Sequence, residues 1–196
     1  MMTVIKSEVI RRMVFVIVAA VSACLVAHAA EKETAMTPLT LTSSAFAANH
    51  PIPKKHTGEG PDLSPALKWE GAPTGTKGFA LICDDPDALG VAGRVWVHWV
   101  LYDVPATTTS LTENVAKTEM VAALGGAKQG MTDFDRIGYG GPMPPRGHGV
   151  HHYHFKLYAL DTELKLPARV AKTQLEEAMH GHILSQAELI GTYQRQ

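Results

Sequence analysis

Apolar and polar residues alternate with a two-residue period along several stretches of the chain. LTLTSSAF (Leu39 to Phe46) alternates and predicts a first strand. ALKWEGAP (Ala66 to Pro73) predicts a short strand ending in a turn, and Phe79 to Asp84 and Val95 to Val104 are β-branched and aromatic runs that predict two more. His151 to Leu160 is a further strand, with Tyr153, Phe155, Leu157 and Ala159 on one face. Between these lie NHPIPKKHTGEGPDLSP (Asn49 to Pro65), rich in Pro and Gly, and a loop-dominated region from Gly125 to Gly149. A helical period occurs only near the C-terminus. Thr173 and Glu176 have capping-box spacing, and Leu175, Ala178, Met179, His182 and Ile183 form one stripe in a helix extending to Leu189. Strands separated by long loops, with one terminal helix, point to a mostly antiparallel sandwich.

The first thirty residues stand apart from this pattern. Lys6, Arg11 and Arg12 precede an uncharged run, Met13 to Ala27, that ends in an A-x-A site at Ala27-His28-Ala29. This is the layout of a signal peptide, so export to the periplasm or outside the cell is expected after cleavage near Ala29 or Ala30. VSAC (Val21 to Cys24) is a weaker competing signal for a lipoprotein anchored at Cys24. Residues 31–38 are polar and expected to form a flexible N-terminal segment, and one domain is expected over 39–196. Cleavage also removes Cys24, leaving Cys83 without a disulfide partner. Its apolar setting, FALICDD, predicts a buried and inert thiol. Charged residues make up 19% of the 196-residue chain and the net charge is −1, so nothing in the balance points to nucleic acid. No heptad or apolar patch specifies an oligomeric state, and a homodimer is left open.

Candidate chemistry concentrates in three places. Asp85 and Asp87 flank Pro86 directly after a strand, His98 sits between Trp96 and Trp99, and a glycine–proline segment leads into His151 and Tyr153. Four of the chain's ten histidines lie between His148 and His154. Strand parity divides this group, putting His151 and Tyr153 on one face and His152 and His154 on the other. Each signal has an ordinary reading. Asp-Pro-Asp is a common turn, a lone histidine among tryptophans is a core polar group, and His50 and His56 look like loop residues. His180 and His182 would lie on a helix face and at its end.

Taken together, DPDAL (Asp85 to Leu89), WVHW around His98 and GYGGPMPPRGHGVHHY (Gly138 to Tyr153) resemble the phosphatidylethanolamine-binding protein family, in its bacterial Raf-kinase-inhibitor-like branch. SPALKWEGAPTGTKGFALICDDPDA and AMHGHILSQAELIGTYQR extend the resemblance over residues 38–196. The resemblance implies a mainly β fold, an antiparallel Greek-key-like β-sandwich with peripheral helices and a small anion-binding pocket at one edge. Carried across, the pocket would comprise Asp85, Asp87, His98, His151 and Tyr153, with walls shaped by Pro86, Pro142 and Pro145. Two positions depart from the family pattern: Leu89 stands where proline is usual, and His152 where the animal members carry arginine.

Elementary chemistry fits an anion site. Glycines let backbone N–H groups approach a phosphate, prolines hold the loop rigid, and imidazoles and the Tyr153 hydroxyl can donate to phosphate oxygens. The aspartates fit if one of them accepts an N–H from a histidine and fixes its tautomer, or meets a ligand O–H or ammonium. The expected ligand is thus a small anion or phosphoryl compound, such as a phospholipid headgroup, with no cofactor implied. A metal- or His/Asp-dependent hydrolase is a second reading, but H-E-x-x-H, C-x-x-C and G-x-S-x-G spacings are all missing. A third, an inhibitor or regulator of a protease or kinase, rests on family analogy.

Overall fold

The structure is a computed structural model that describes residues 38–196. The predicted leader of residues 1–30, Cys24 and nearly all of the segment 31–38 lie outside the described residues. The described chain is mainly β. Ten strands run in order: β1 (Thr40–Ser43), β2 (His50–Pro51), β3 (Leu67–Glu70), β4 (Gly78–Asp85), β5 (Trp96–Pro105), β6 (Ser110–Leu111), β7 (Met120–Val121), β8 (Ala127–Gln129), β9 (Val150–Leu160) and β10 (Ile183–Gln194). Two short helices interrupt them, α1 (Leu89–Ala92) and α2 (Lys172–Met179). One sheet has the order β1-β3-β6 and the other β2-β10-β9-β4-β5-β8-β7. All pairings are antiparallel except β2 with β10, which is parallel.

The physical centre is β4. Every residue from Gly78 to Asp85 is buried, which is why this strand reads as a continuous apolar run rather than an alternation. Phe79, Leu81 and Cys83 face the larger core, which also takes in Leu41, Leu67, Trp69 and Leu111 of the small sheet. Ala80 and Ile82 face a second core with Val100, Tyr102, Leu175 and Met179, roofed by α2. Burial raises the Cys83 thiol pKa, with Asp84 and Asp85 adding to it, so the thiolate is suppressed.

Two adjacent carboxylates therefore leave β4 on opposite faces. Asp84 belongs with the α2 side, where Lys156 Nζ lies 2.8 Å from Oδ1 and Lys172 Nζ 2.5 Å from Oδ2. Burial alone would raise the Asp84 carboxyl, but the hydrogen bonds from Lys156 and Lys172 outweigh it and hold its pKa below the ordinary value of 3.8. A carboxyl depressed in the folded state stabilises the fold above its unfolded pKa and loses that contribution as pH falls through the folded one. Between pH 5 and pH 2 the stability measured by urea unfolding should therefore fall more steeply in the native chain than in Asp84→Asn. Equal falls would show that this carboxylate carries none of the acid sensitivity.

The C-terminal region corrects the sequence expectation. The helix spans Lys172–Met179 rather than reaching Leu189, and Ala171 rather than Thr173 precedes it, its N–H donating to Gln174 Oε1 at 2.8 Å. Gly181 follows with φ +80°, a left-handed residue that ends helices. Ile183 to Gln194 then pairs along nearly the whole of β9. Ladder pairing with a long neighbour outweighed a weak helical stripe. The region Asn49 to Pro65 also holds more structure than expected. It contributes β2 and a 3₁₀ turn at Lys54–His56, and His56 is fully buried with Nδ1–H donating to Leu63 O at 2.8 Å.

Candidate functional site

β5 owes its local geometry to two irregularities. Opposite β4, Cys83 pairs with Trp99 but Asp84 pairs with Val97, so His98 is an extra residue in β5; a second extra residue falls at Tyr102–Asp103. A β-bulge of this kind turns a side chain out of the regular alternation. Consequently His98 and Trp99, although neighbours, both face the larger core side, and His98 packs edge-on against Tyr153 with ring centroids 5.0 Å apart. Val97 falls on the α2 side.

The glycine–proline segment supplies the opposite wall. Gly140 N–H donates to His98 O at 2.9 Å, and His98 Nδ1–H donates back to Gly140 O at 2.5 Å. Residues of the 54–62 loop clasp the same segment from behind: Tyr139 Oη donates to His56 O, and Gly141 N–H donates to Asp62 Oδ1 at 2.6 Å. Gly141 must be glycine there, because a Cβ would lie 2.3 Å from His56 O.

Asp85 joins the other two elements. Its Oδ1 accepts from the backbone N–H groups of Asp87 (2.9 Å) and Ala88 (3.3 Å), capping the 3₁₀ turn Pro86–Ala88. Its Oδ2 accepts the His151 Nδ1–H at 2.7 Å. Of the roles open to an aspartate here, the geometry is that of orienting a histidine. His151 Nε2 in turn faces His148 Nδ1 at 2.8 Å. Beside them, the Tyr153 hydroxyl is buried and, among the described residues, has no hydrogen-bond partner of ordinary geometry. Burial, followed by the charge of Asp85, raises its pKa, so it stays a neutral O–H.

These side chains line one cavity of about 200 Å³, with Asp85, His98, Pro145, His151 and Tyr153 all contributing. Three residues expected there are not in the lining. Asp87 points to the other face of β9, where Oδ2 accepts from both the backbone N–H and the Nδ1–H of His152 (2.7 and 2.8 Å). Those hydrogen bonds overcome the raising effect of burial and lower the Asp87 pKa. Pro86 opens the 3₁₀ turn, and Pro142 is buried with its carbonyl accepting from Gly58 N–H. Strand parity sorted β9 as expected: His151 and Tyr153 are buried, while His152 is exposed and His154 pairs with Glu188 at 2.8 Å.

The cavity also has walls that sequence reasoning did not name. Trp96, Phe134, Val91, Ala92, Met143 and Pro144 make most of it apolar. Trp96 was within reach, two residues before His98 on one strand; Phe134 had no signal, since it arrives from a loop distant in sequence. His98 differs in its chemistry from the simple donor expected. With Nδ1–H committed to Gly140 O, neutral His98 presents Nε2 as an acceptor, and burial lowers its pKa despite the Gly140 carbonyl's opposing effect. Among the described residues, no group of three or more His, Cys, Asp or Glu side chains is placed to hold a metal ion.

Comparison with known proteins agrees with this architecture. A UPF0098 protein of Aquifex aeolicus is 48% identical over 155 residues, which cover 78% of this chain and 86% of that protein. Two solved structures share the fold. The phosphatidylethanolamine-binding protein homologue CT736 of Chlamydia trachomatis is 38% identical with a TM-score of 0.71, covering 81% of this chain and 99% of its own. Escherichia coli YbcL, described as a member of the mammalian PEBP family, is 32% identical with a TM-score of 0.75, covering 82% of this chain and 100% of its own. The family model for phosphatidylethanolamine-binding protein matches residues 42–194, and with these identities over most of the chain the protein belongs to that family.

Proposed function

We propose that this protein is an exported binding protein that takes a small oxyanion or phosphoryl group into the cavity between Asp85, His98, His151 and Tyr153. The observation that carries the reading is the Tyr153 hydroxyl, a donor buried without a partner beside two imidazoles whose other nitrogens are already committed. A buried polar group left unpaired costs about 1–3 kcal/mol, and an oxyanion at this position would relieve that cost. Most of the remaining wall is apolar, and Leu89, Val91 and Met143 are exposed large hydrophobics, the latter two on the cavity lining itself. An anion bearing an apolar substituent, as in a phospholipid headgroup with its acyl-glycerol, suits that combination. For the hydrolase alternative, the Asp85–His151 pair leads to another imidazole rather than to a hydroxyl or thiol that it could activate.

Proton bookkeeping shapes the test. Neutral His98 offers a lone pair, so an anion gains a second donor there only if a proton is taken up on binding. Affinity should therefore rise as pH falls from about 8 to 6. Ethanesulfonate carries no titrating proton in that range and isolates the protein's contribution. A small, partly wet site predicts a Kd between roughly millimolar and micromolar. Calorimetry should show tighter binding at the lower pH and a roughly ten- to a hundredfold weakening in Tyr153→Phe, about the worth of one hydrogen bond to a charged group. A pH-independent affinity that Tyr153→Phe leaves unchanged would refute the reading.

A further inference from the structure

His148 lies just before β9, where strand parity does not apply, and it is exposed. Its Nδ1 nevertheless stands 2.8 Å from His151 Nε2, with the rings 5.1 Å apart at 61°. Two imidazole nitrogens that close hold one proton between them, because two lone pairs or two N–H groups would repel. Asp85 already accepts the His151 Nδ1–H, so Nε2 is the one His151 nitrogen left for a ligand, and His148 is on it. The segment carrying His148 is held by one long backbone hydrogen bond, His148 N–H to Pro145 O at 3.3 Å, which a turn of the ring about its own side-chain bonds leaves intact. Gly147 and Gly149 flank His148 at φ +76° and +92°, with no atom of the other described residues within 4 Å of where either Cβ would be. The ring can swing away on these two residues without disturbing the β9 ladder, which starts at Val150.

We propose that His148 is the gate of the pocket: when the shared proton sits on His151 Nε2, the His148 ring and a ligand oxygen compete to accept that N–H, and binding requires the ring to leave. This rests on the anion-pocket reading and adds a specificity-determining residue to it. The only ligands admitted are those that bind His151 Nε2 better than a neighbouring imidazole does. In the gated protein the apparent affinity is lowered by the fraction of molecules in which His148 has moved off.

The test uses ethanesulfonate with the native chain and His148→Ala at one pH near 6.5, by calorimetry and by long-range ¹⁵N–¹H spectra of the histidine rings. Without sulfonate, the His148 Nδ1 and His151 Nε2 signals should report a shared proton, and saturating sulfonate should abolish that signature at His148. His148→Ala should bind sulfonate about three- to tenfold more tightly, the equivalent of one hydrogen bond no longer broken on binding. Sulfonate binding by both proteins, with equal or weaker affinity in the variant, overturns the gate and leaves the pocket reading intact. No sulfonate binding by either protein removes the pocket reading and the gate with it.

Discussion

Phe155→Ala lowers the stability of the folded chain by about 3–5 kcal/mol, the usual cost of removing a large buried aromatic from a close-packed core. Phe155 is fully buried on β9. Its ring lies 5.8 Å from Phe46 and 6.4 Å from Tyr139, between the loop after β1 and the segment that walls the pocket. Tyr139 cannot close the gap freely, because it is tied through its hydroxyl to His56 O. A cavity should therefore persist, and the cost should fall in the upper part of that range. Urea unfolding measures it, with an unchanged m-value marking a true loss of stability. A loss below about 1 kcal/mol would mean that this face of β9 is not core.

The second large effect is on binding. His151→Ala should weaken ethanesulfonate binding by about ten- to a hundredfold, while His154→Ala should leave it nearly unchanged. Removing His151 takes away a charge-assisted donor worth about 1.5–3 kcal/mol and deprives the buried Asp85 Oδ2 of its 2.7 Å hydrogen bond. A carboxylate left facing the site would also repel an anion. His154 lies on the opposite face of the strand, paired with Glu188, and serves as the control. Calorimetry on both variants decides the matter, and equal losses would sink the assignment. Circular dichroism on each variant separates loss of binding from loss of fold.

How much of this was legible depended on whether local pattern or distant pairing governed each residue. β9 was legible because one face is core and the other is not, so period two alone sorted Tyr153, Phe155 and Leu157 from His152 and His154. The turn after β4 was legible because Asp-Pro-Asp caps itself. Which carboxylate entered the pocket was not, since nothing local says that β9 presents His151 to Asp85 and His152 to Asp87. The helical stripe continues through His180 and His182 in the sequence while the helix ends at Met179, and Gly181 between the two histidines is the stop signal that marks this. His56 looked like a loop residue because nothing local reveals that the 54–62 loop packs against Tyr139 and Gly141.

The bulge at His98 separates two kinds of heritable information. Large parts of the fold are written as alternation and tolerate any apolar residue of suitable size. The direction of the His98 ring is written instead as a count of residues, one more at this point of β5 than β4 requires. Loss of a single codon just before His98 would let this part of the ladder pair regularly while turning the imidazole away from Tyr153. The sheet would survive, and the pocket would lose a wall. In a lineage under selection only for a stable scaffold, this is therefore the kind of feature to be erased first, and its presence in a descendant would mark a pocket still in use.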